Sequence, residues 1–479
     1  MMSGYLSREP VLQAAGFVGR QVELAWLADL LGRPSPQNCN LVGEPRSGKS
    51  SLLMQVAARR LGTAPEQVGL YVVLRLAELP DHRAVTFWRE MASRLDQAQQ
   101  AAGLGVELDT AAVAGHSAAA STNGSGAEDA DRALFDALDE GIELLLDETA
   151  CHRIFFLIDD FDLMLRGFSS RDLDWLRALA TRYAQSLAFV ITSSDSLVRL
   201  TDTLLHREQI EMQVSSFANT FHDRWLALLT AEEAAQLCQE TAVAERQFPL
   251  STAEITFLQR DAGRHPALLK IALSYLFEAR QYEKAENVLP TVAGDLRLDG
   301  PVAWLCRQLW QRRTAEEQAA LAALAQGEQG VDPILLKKLK RQVGVVEERD
   351  GRATLFADVF TWWVQREMGL ERGEGGTAVP PSTTGTGEFT YLPEKRLLYL
   401  DNREVPLTSL EGRLLEYMLV HKNEVCQVDD LLANVWGDGK TRSVVEKAIN
   451  RLRLKVEPDP KRPRFLLSAR GEGYLLRLE

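Results

Sequence analysis

A parallel-sheet α/β domain followed by a smaller, separate α+β domain is the architecture this sequence predicts, and three observations predict it. Short apolar runs alternate with helical patterns between residues 38 and 214. The first of those runs passes through a glycine-containing turn directly into a helix. A Gly-, Thr- and Pro-rich stretch, ERGEGGTAVPPSTTGTGE at 371–388, then sets off a C-terminal module from everything before it.

The elements follow in order. Strands are predicted at 38–43 (NCNLVG), 69–76 (GLYVVLRL), 153–159 (RIFFLID), 187–193 (LAFVITS) and 210–214 (IEMQV). Helical spacing falls between them at Ser51–Leu61, Ala130–Glu148 and Arg171–Gln185. Runs apolar on both faces, each joined to the next by a helix, predict a parallel five-stranded sheet covered on both sides. Residues 97–130 are rich in Ala, Gly and Ser and read as a flexible insertion. After 215 the strands cease and the pattern becomes helical.

The bulk numbers bound the class of protein. A chain of 479 residues has room for roughly three domains. Apolar residues make up 46% and charged residues 25%, an ordinary globular balance. No apolar run approaches a membrane span, so no membrane partner is expected. The start, MMSGYLSREPVLQ, lacks a basic segment followed by an apolar one, which argues against secretion. Cys39, Cys151, Cys238, Cys306 and Cys426 are widely spaced, and read as buried thiols of a cytoplasmic protein. The net charge is −13, yet residues 440–477 hold eleven basic against four acidic side chains. A local +7 on a body of −20 points to a confined polyanion contact.

The turn after the first strand, LVGEPRSGKSSLL, has Gly43, Gly48, Lys49 and Ser50 at the fixed points of a phosphate-binding loop. Glycines let backbone N–H groups wrap phosphate oxygens, and the helix N-terminus adds positive potential. Lys49 is placed for the β and γ oxygens of ATP (or the β oxygens of ADP), and the Ser50 hydroxyl for Mg²⁺. Glu44, Pro45, Arg46, Ser47 and Ser51 belong to the same loop and are expected against the nucleotide. RIFFLIDDFD places Asp159 at the sheet's carboxyl edge as a second Mg²⁺ group and Asp160 as the residue that polarises the attacking water.

GFVGR (16–20), this loop, FFLIDDFD, FVITSS (189–194) and GRHPALLKIA (263–272) stand in the order found in STAND-type signalling ATPases of the AAA+ superfamily, which residues 14–368 resemble. The resemblance implies a P-loop NTPase domain at 14–214, a helical lid at 215–299 and a winged-helix subdomain at 300–368, whose wing is GVVEERDG–RATLFA. It also implies that Gly19, Arg20 and Pro266 flank the adenine. His265 reads instead as a helix-start histidine with its hydrogen bonds satisfied. Family members carry an arginine after the fourth strand; Ser194 stands here. Nucleotide binding with slow turnover is therefore expected, a switch more than a motor.

Residues 389–479 resemble the OmpR/PhoB-type winged helix-turn-helix through PLTSLEGRLLEYML (406–419), LLANVWG (431–437), INRLRLKVEPDP (449–460) and SARGEGYLL (468–476). The residues support this independently. Val445, Ile449, Leu452 and Val456 form one apolar helix face. Glu446, Lys447, Asn450, Arg451 and Lys455 form a polar, cationic face suited to a major groove. Lys447 and Arg451 are expected at base edges, Arg453 and Lys455 at phosphates or paired with glutamates, and Arg470 on a Gly-flanked wing at the adjacent minor groove.

Together these readings predict a nucleotide-switched transcription regulator whose partners are double-stranded DNA, RNA polymerase and further copies of itself on ATP binding. An ATPase that remodels something on DNA, and a scaffold whose winged helix binds protein, are the alternatives.

Overall fold

The computed structural model describes residues 10–14, 16–106, 124–201, 216–368, 389–393, 396–400, 403–436, 442–460, 462–469 and 472–478. It divides into two compact units, residues 1–270 with 308–358, and residues 271–307 with 359–479.

In the first unit the sheet comprises β1 (Cys39–Val42), β2 (Val68–Arg75), β3 (Cys151–Asp159), β4 (Leu187–Ser193) and β5 (His222–Trp225). All pair in parallel, in the order β2-β3-β4-β1-β5. Side chains alternate across a strand, so β3 divides its residues between two cores. Ile154, Phe156 and Ile158 pack with the helices Ala84–Ala101, Gly124–Glu148 and Ser170–Arg182. Phe155 and Leu157 pack with Gln21–Gly32 and Lys49–Ala58 on the other side. Burying both faces is what makes the runs of the central strands β3 and β4 almost continuously apolar.

Two expectations are corrected. The strand expected at 210–214 lies outside the described residues, and the fifth strand is instead β5, beyond the point where strands were expected to end. Its sequence, HDRW, sits at the sheet edge beside β1 alone, so it needs no apolar run and leaves no periodic signal. Of the insertion expected at 97–130, residues 107–123 lie outside the described residues, while both flanks are helical. The helix Ala84–Ala101 buries Leu95 and Gln99, and Gly124–Glu148 starts before 130; alanine- and glutamine-rich sequence favours a helix where packing is offered.

The rest of the first unit is helical: Ala231–Ala244 and Thr252–Asp261 start with reciprocal capping boxes, Thr230 with Glu233 and Ser251 with Glu254. The hairpin Val346–Arg349 with Arg352–Leu355 forms where a wing was expected. The helix Pro266–Tyr282 begins in the first unit and ends in the second. The division into units thus cuts across the expected segments 215–299 and 300–368.

The second unit contains the helices Ala285–Leu298 and Asp358–Glu367, followed by the C-terminal module. Here an antiparallel sheet (Thr390–Leu392, Leu397–Leu400, Arg403–Pro406) precedes the helix Ser409–Val420. The helix Arg442–Val456, the one expected to enter a major groove and called the recognition helix for that expectation, is followed by a hairpin of Leu466–Ala469 and Gly473–Leu476. Val445, Ile449, Leu452 and Val456 are fully buried in the module's own core with Leu414, Met418 and Leu431, as their spacing predicts. No helix among the described residues is long and apolar enough to cross a membrane.

Candidate functional site

β1 delivers the chain into the loop 43–48, and the helix Lys49–Ala58 leaves it. Gly48 has φ 98°, a left-handed conformation that glycine adopts without strain. A side chain on Gly43 would lie 3.0 Å from the Ser47 hydroxyl, so the turn closes tightly only with glycine there. Lys49 is buried, and its ammonium donates to the carbonyl oxygens of Gly43 at 2.8 Å and Glu44 at 3.0 Å. Burial lowers its pKa, and the Asp160 carboxylate opposes that. Ser50 is partly exposed at the helix start, and the neighbouring Ser51 hydroxyl accepts from the Val11 backbone at 3.0 Å. Pro45 is partly exposed and Arg46 exposed.

The GFVGR turn joins the loop through its arginine. Gly19 (φ 77°) and Arg20 (φ 60°) are both left-handed, and the Arg20 guanidinium is buried, donating to the carbonyls of Ser47 at 3.1 Å and Ala227 at 2.8 Å. At the end of β3 the Thr192 hydroxyl ties the two acids together. It donates to the Asp159 carboxylate at 2.6 Å and accepts from the Asp160 backbone N–H at 2.8 Å. Burial, reinforced by Asp159, raises the Asp160 pKa, while Lys49 opposes the rise. Asp159, Asp160 and Lys49 are thus brought to one place, with Ser50 next to Lys49.

Three buried groups around the loop lack partners. Oε2 of Glu44 and Oγ of Ser47 make no hydrogen bond, and the His265 ring, whose one neighbour of that kind is the Pro45 backbone, leaves at least one nitrogen without a partner. All three residues line one narrow cavity with Pro266, Leu309 and Phe356. His265 is a buried helix-start residue, as expected, but only in part satisfied: burial pushes its pKa down to about 4 while the Pro45 backbone opposes the fall, and a neutral imidazole beside that single partner keeps one nitrogen unused. Unsatisfied buried polar atoms are rare and costly. The cavity they line is about 10 Å³, room for one water and not for a nucleotide ring, so these atoms mark a polar pocket next to the phosphate loop.

Sequence reading missed two arginines. Arg313 forms an ion pair with Glu44 in which both side chains are buried. Burial raises the Glu44 pKa and Arg313 opposes the rise. Arg312 is exposed and lines a cavity of about 340 Å³ with Ser194, Asp195, Arg199 and Glu44. Its charge acts on Lys49, Glu44 and Asp160 alike. The signal available was Glu44 itself, an acid inside a phosphate loop, which demands a cation from elsewhere.

In the C-terminal module Glu446, Lys447 and Asn450 are exposed on the recognition helix, and so is Arg442, which the sequence reading left out. Arg453 is committed to the hairpin, donating to Leu466 O at 2.9 Å and Ser468 at 2.8 Å. Lys455 donates to Glu411 at 2.6 Å. Arg451 is partly buried in the field of Tyr275, Glu278, Glu411 and Asp299, away from the open stripe. Arg470 lies outside the described residues.

Residues 16–191 match the family described as "AAA ATPase domain", and residues 402–476 match "Transcriptional regulatory protein, C terminal". The chain carries an AAA ATPase domain and an OmpR/PhoB-type C-terminal domain. The C-terminal domain is similar to the probable transcriptional regulator ycf27 of Guillardia theta, 39% identical over 20% of this chain and 40% of that protein. It is also similar to the DNA-binding dual master transcriptional regulator RpaA of Synechocystis, 34% identical over 19% of this chain and 39% of that protein. The chain spans about 40% of the length of these curated relatives. Among solved structures it is similar to a Walker-type ATPase of Pyrococcus abyssi, 16% identical over 75% of this chain and 99% of that one, with a TM-score of 0.48.

Proposed function

We propose that this protein is an ATP-binding, nucleotide-switched regulator of transcription that binds double-stranded DNA through its C-terminal domain. What carries the reading is one polypeptide holding both a phosphate loop ringed by unsatisfied polar atoms and a recognition helix with an open polar stripe. In the first domain Lys49 holds phosphate oxygens, and Ser50 and Asp159 hold Mg²⁺, an ion bound through few protein groups plus phosphate. Held there, Mg²⁺ would supply neutralisation of phosphate charge. Asp160, raised in pKa by burial, orients water. With Ser194 at the end of β4, turnover falls well below the roughly 1–10³ s⁻¹ common for enzymes, and the bound nucleotide sets the state of the chain.

In the second domain Arg442, Lys447 and Asn450 read the major groove, with Glu446 excluding unsuited bases. Arg470 on the wing meets the flanking minor groove or its phosphates. Further copies of the chain on ATP binding, RNA polymerase at the promoter and a cytoplasmic location complete the proposal.

The test is fluorescence anisotropy of the full chain on duplexes obtained by in vitro selection, with ATP, with ADP and with neither. Apparent affinity is expected to differ between the ATP and ADP forms. Equal affinity in all three conditions overturns the switch, and absence of any selected sequence overturns DNA reading.

A further inference from the structure

Within the second compact unit, the helices between Ile271 and Arg307 carry a polar face that neither site uses. Asp295 has a side chain only 5% exposed, yet it carries a carboxylate. It accepts from the Arg396 guanidinium at 3.0 Å, the Ser409 backbone N–H at 3.0 Å and the Ser409 hydroxyl at 3.1 Å. Nearby, the Leu298 carbonyl accepts from the Lys455 ammonium at 3.2 Å, and Glu278 pairs with Arg413 at 3.5 Å. Asp299 is held in place by the Tyr275 hydroxyl at 2.7 Å and the Val302 N–H at 2.8 Å.

A buried carboxylate is tolerated only when a cation and hydrogen-bond donors replace its water. Asp295 receives all three of these donors from residues 396–409, none from its own helix. The donors come from a domain with a complete hydrophobic core of its own, so the contact is not needed to build that domain. Every partner on the helical side is an acid or a carbonyl, and on the other side stand Arg396, Arg413 and Lys455, with Arg451 close by. That pairing imitates what a DNA backbone offers to the same cations.

We propose that this acidic face of residues 271–307 is a docking seat for the C-terminal domain, and that it competes with DNA for the domain's positive charge. The proposal rests on the DNA-reading function above. In the seated form Arg442, Lys447 and Asn450 stay open, so base reading begins while the seat is occupied. Leaving the seat frees Arg396, Arg413 and Arg451 for phosphates, which tightens the complex and steepens its salt dependence. The seat thus sets a threshold that a selected sequence must exceed.

The experiment compares full-length wild type, Asp295→Ala, and the charge swap Asp295→Arg with Arg396→Asp. Without DNA, hydrogen exchange is followed at the Ser409 amide and along Ala285–Leu298. Asp295→Ala is expected to speed exchange at least tenfold at Ser409 and along Ala285–Leu298, and the swap, which restores the ion pair but offers the Ser409 N–H no acceptor, to slow it again along Ala285–Leu298 only. On a selected duplex, Asp295→Ala is expected to bind several-fold more tightly at low salt. Its plot of log affinity against log salt steepens by about 1 to 3, near 0.9 for each phosphate gained. Unchanged exchange overturns the seat. Faster exchange with an unchanged salt slope overturns the competition. Wild type that binds no duplex overturns the DNA-reading function, while the exchange data still decide the seat.

Discussion

The phosphate loop and the recognition helix treat polar groups in opposite ways. Around the loop the charges are buried and several polar atoms have no partner: Glu44 Oε2, Ser47 Oγ and one nitrogen of the His265 ring. In the C-terminal domain the buried acids are saturated. Glu457 accepts from the backbone N–H groups of Arg464, Phe465 and Leu466, and Glu411 accepts from Thr408 and Lys455. The exposed charges there lie on the surface, in Arg442, Lys447 and their neighbours. A small ligand is recognised by what a site lacks inside, a long polyanion by what a helix presents outside. The first kind of site is read by searching for unsatisfied atoms, the second by removing every cation already committed.

The largest effect expected from this contrast is on stability. Glu457→Ala strips three backbone N–H groups of their acceptor in a buried position. A loss of about 3 kcal/mol or more is expected, each hydrogen bond to a charged group being worth about 1.5–3. Urea unfolding of the full chain, followed in the C-terminal domain's transition, measures it. A loss under about 1 kcal/mol would show that the domain does not depend on this saturated acid.

On the surface, Lys447→Ala and Asn450→Ala are each expected to cost about 1–3 kcal/mol in binding a selected duplex and to relax preference at particular base pairs. Neither should shift the unfolding midpoint. Arg453→Ala reverses that pattern, because its guanidinium holds Leu466 and Ser468 of the hairpin. Anisotropy against single-base variants of the duplex, beside thermal melts, separates the two classes. If Arg453→Ala relaxed base preference as Lys447→Ala does, commitment within the fold would be no guide to the stripe.

These contrasts also explain what was legible beforehand. The phosphate loop is contiguous, so LVGEPRSGKSSLL carried both its geometry and its chemistry. Four of five strands were legible because each carries an apolar run, on both faces in β3 and β4 and on one in the edge strand β2; β5 (HDRW) was not, being a polar edge strand. The apolar face Val445, Ile449, Leu452 and Val456 was legible from spacing alone. Arg313 on Glu44 was not, since 269 residues separate the pair and periodicity records nothing of long-range ion pairs. Arg451 and Lys447 look equivalent in sequence, four residues apart on one helix; only packing distinguishes the partly buried cation from the open one.

At the loop, Lys49→Ala removes the buried cation and leaves the carbonyls of Gly43 and Glu44 without their donor. Nucleotide affinity is expected to fall at least tenfold, about 1.4 kcal/mol. Calorimetric titration with ATP and ADP measures it, and undiminished binding would remove the loop from the account. Glu44→Gln should weaken the pairing with Arg313 while leaving Lys49 and its carbonyls in place, so a smaller change is expected there.

The smallest effect is a pH dependence, and it tests directly whether the His265 ring is unsatisfied. Its folded pKa is depressed to about 4 by burial, opposed by the Pro45 backbone, with the cations of Arg20, Lys49 and Arg46 adding to the fall, against about 6.5 for a free histidine. Between these values the unfolded chain binds a proton that the folded chain refuses, so folding stability rises with pH and falls as pH is lowered. From pH 6.5 to 5.5 this amounts to about 1 kcal/mol, slightly under the limit of about 1.4 for one pH unit. Glu44, Asp160 and Asp295, all raised in pKa by burial, contribute their own dependence in acid, so the measurement is a difference. Wild type and His265→Asn are unfolded in urea at pH 7.5, 6.5 and 5.5, and the wild type is expected to lose about 1 kcal/mol more than the variant over the last step. Saturating nucleotide that engages the ring adds a donor or acceptor and changes this difference. Identical pH profiles for the two proteins would mean that the ring titrates as a solvated histidine, and the cavity beside Ser47 and Glu44 would lose its strongest mark of a polar pocket.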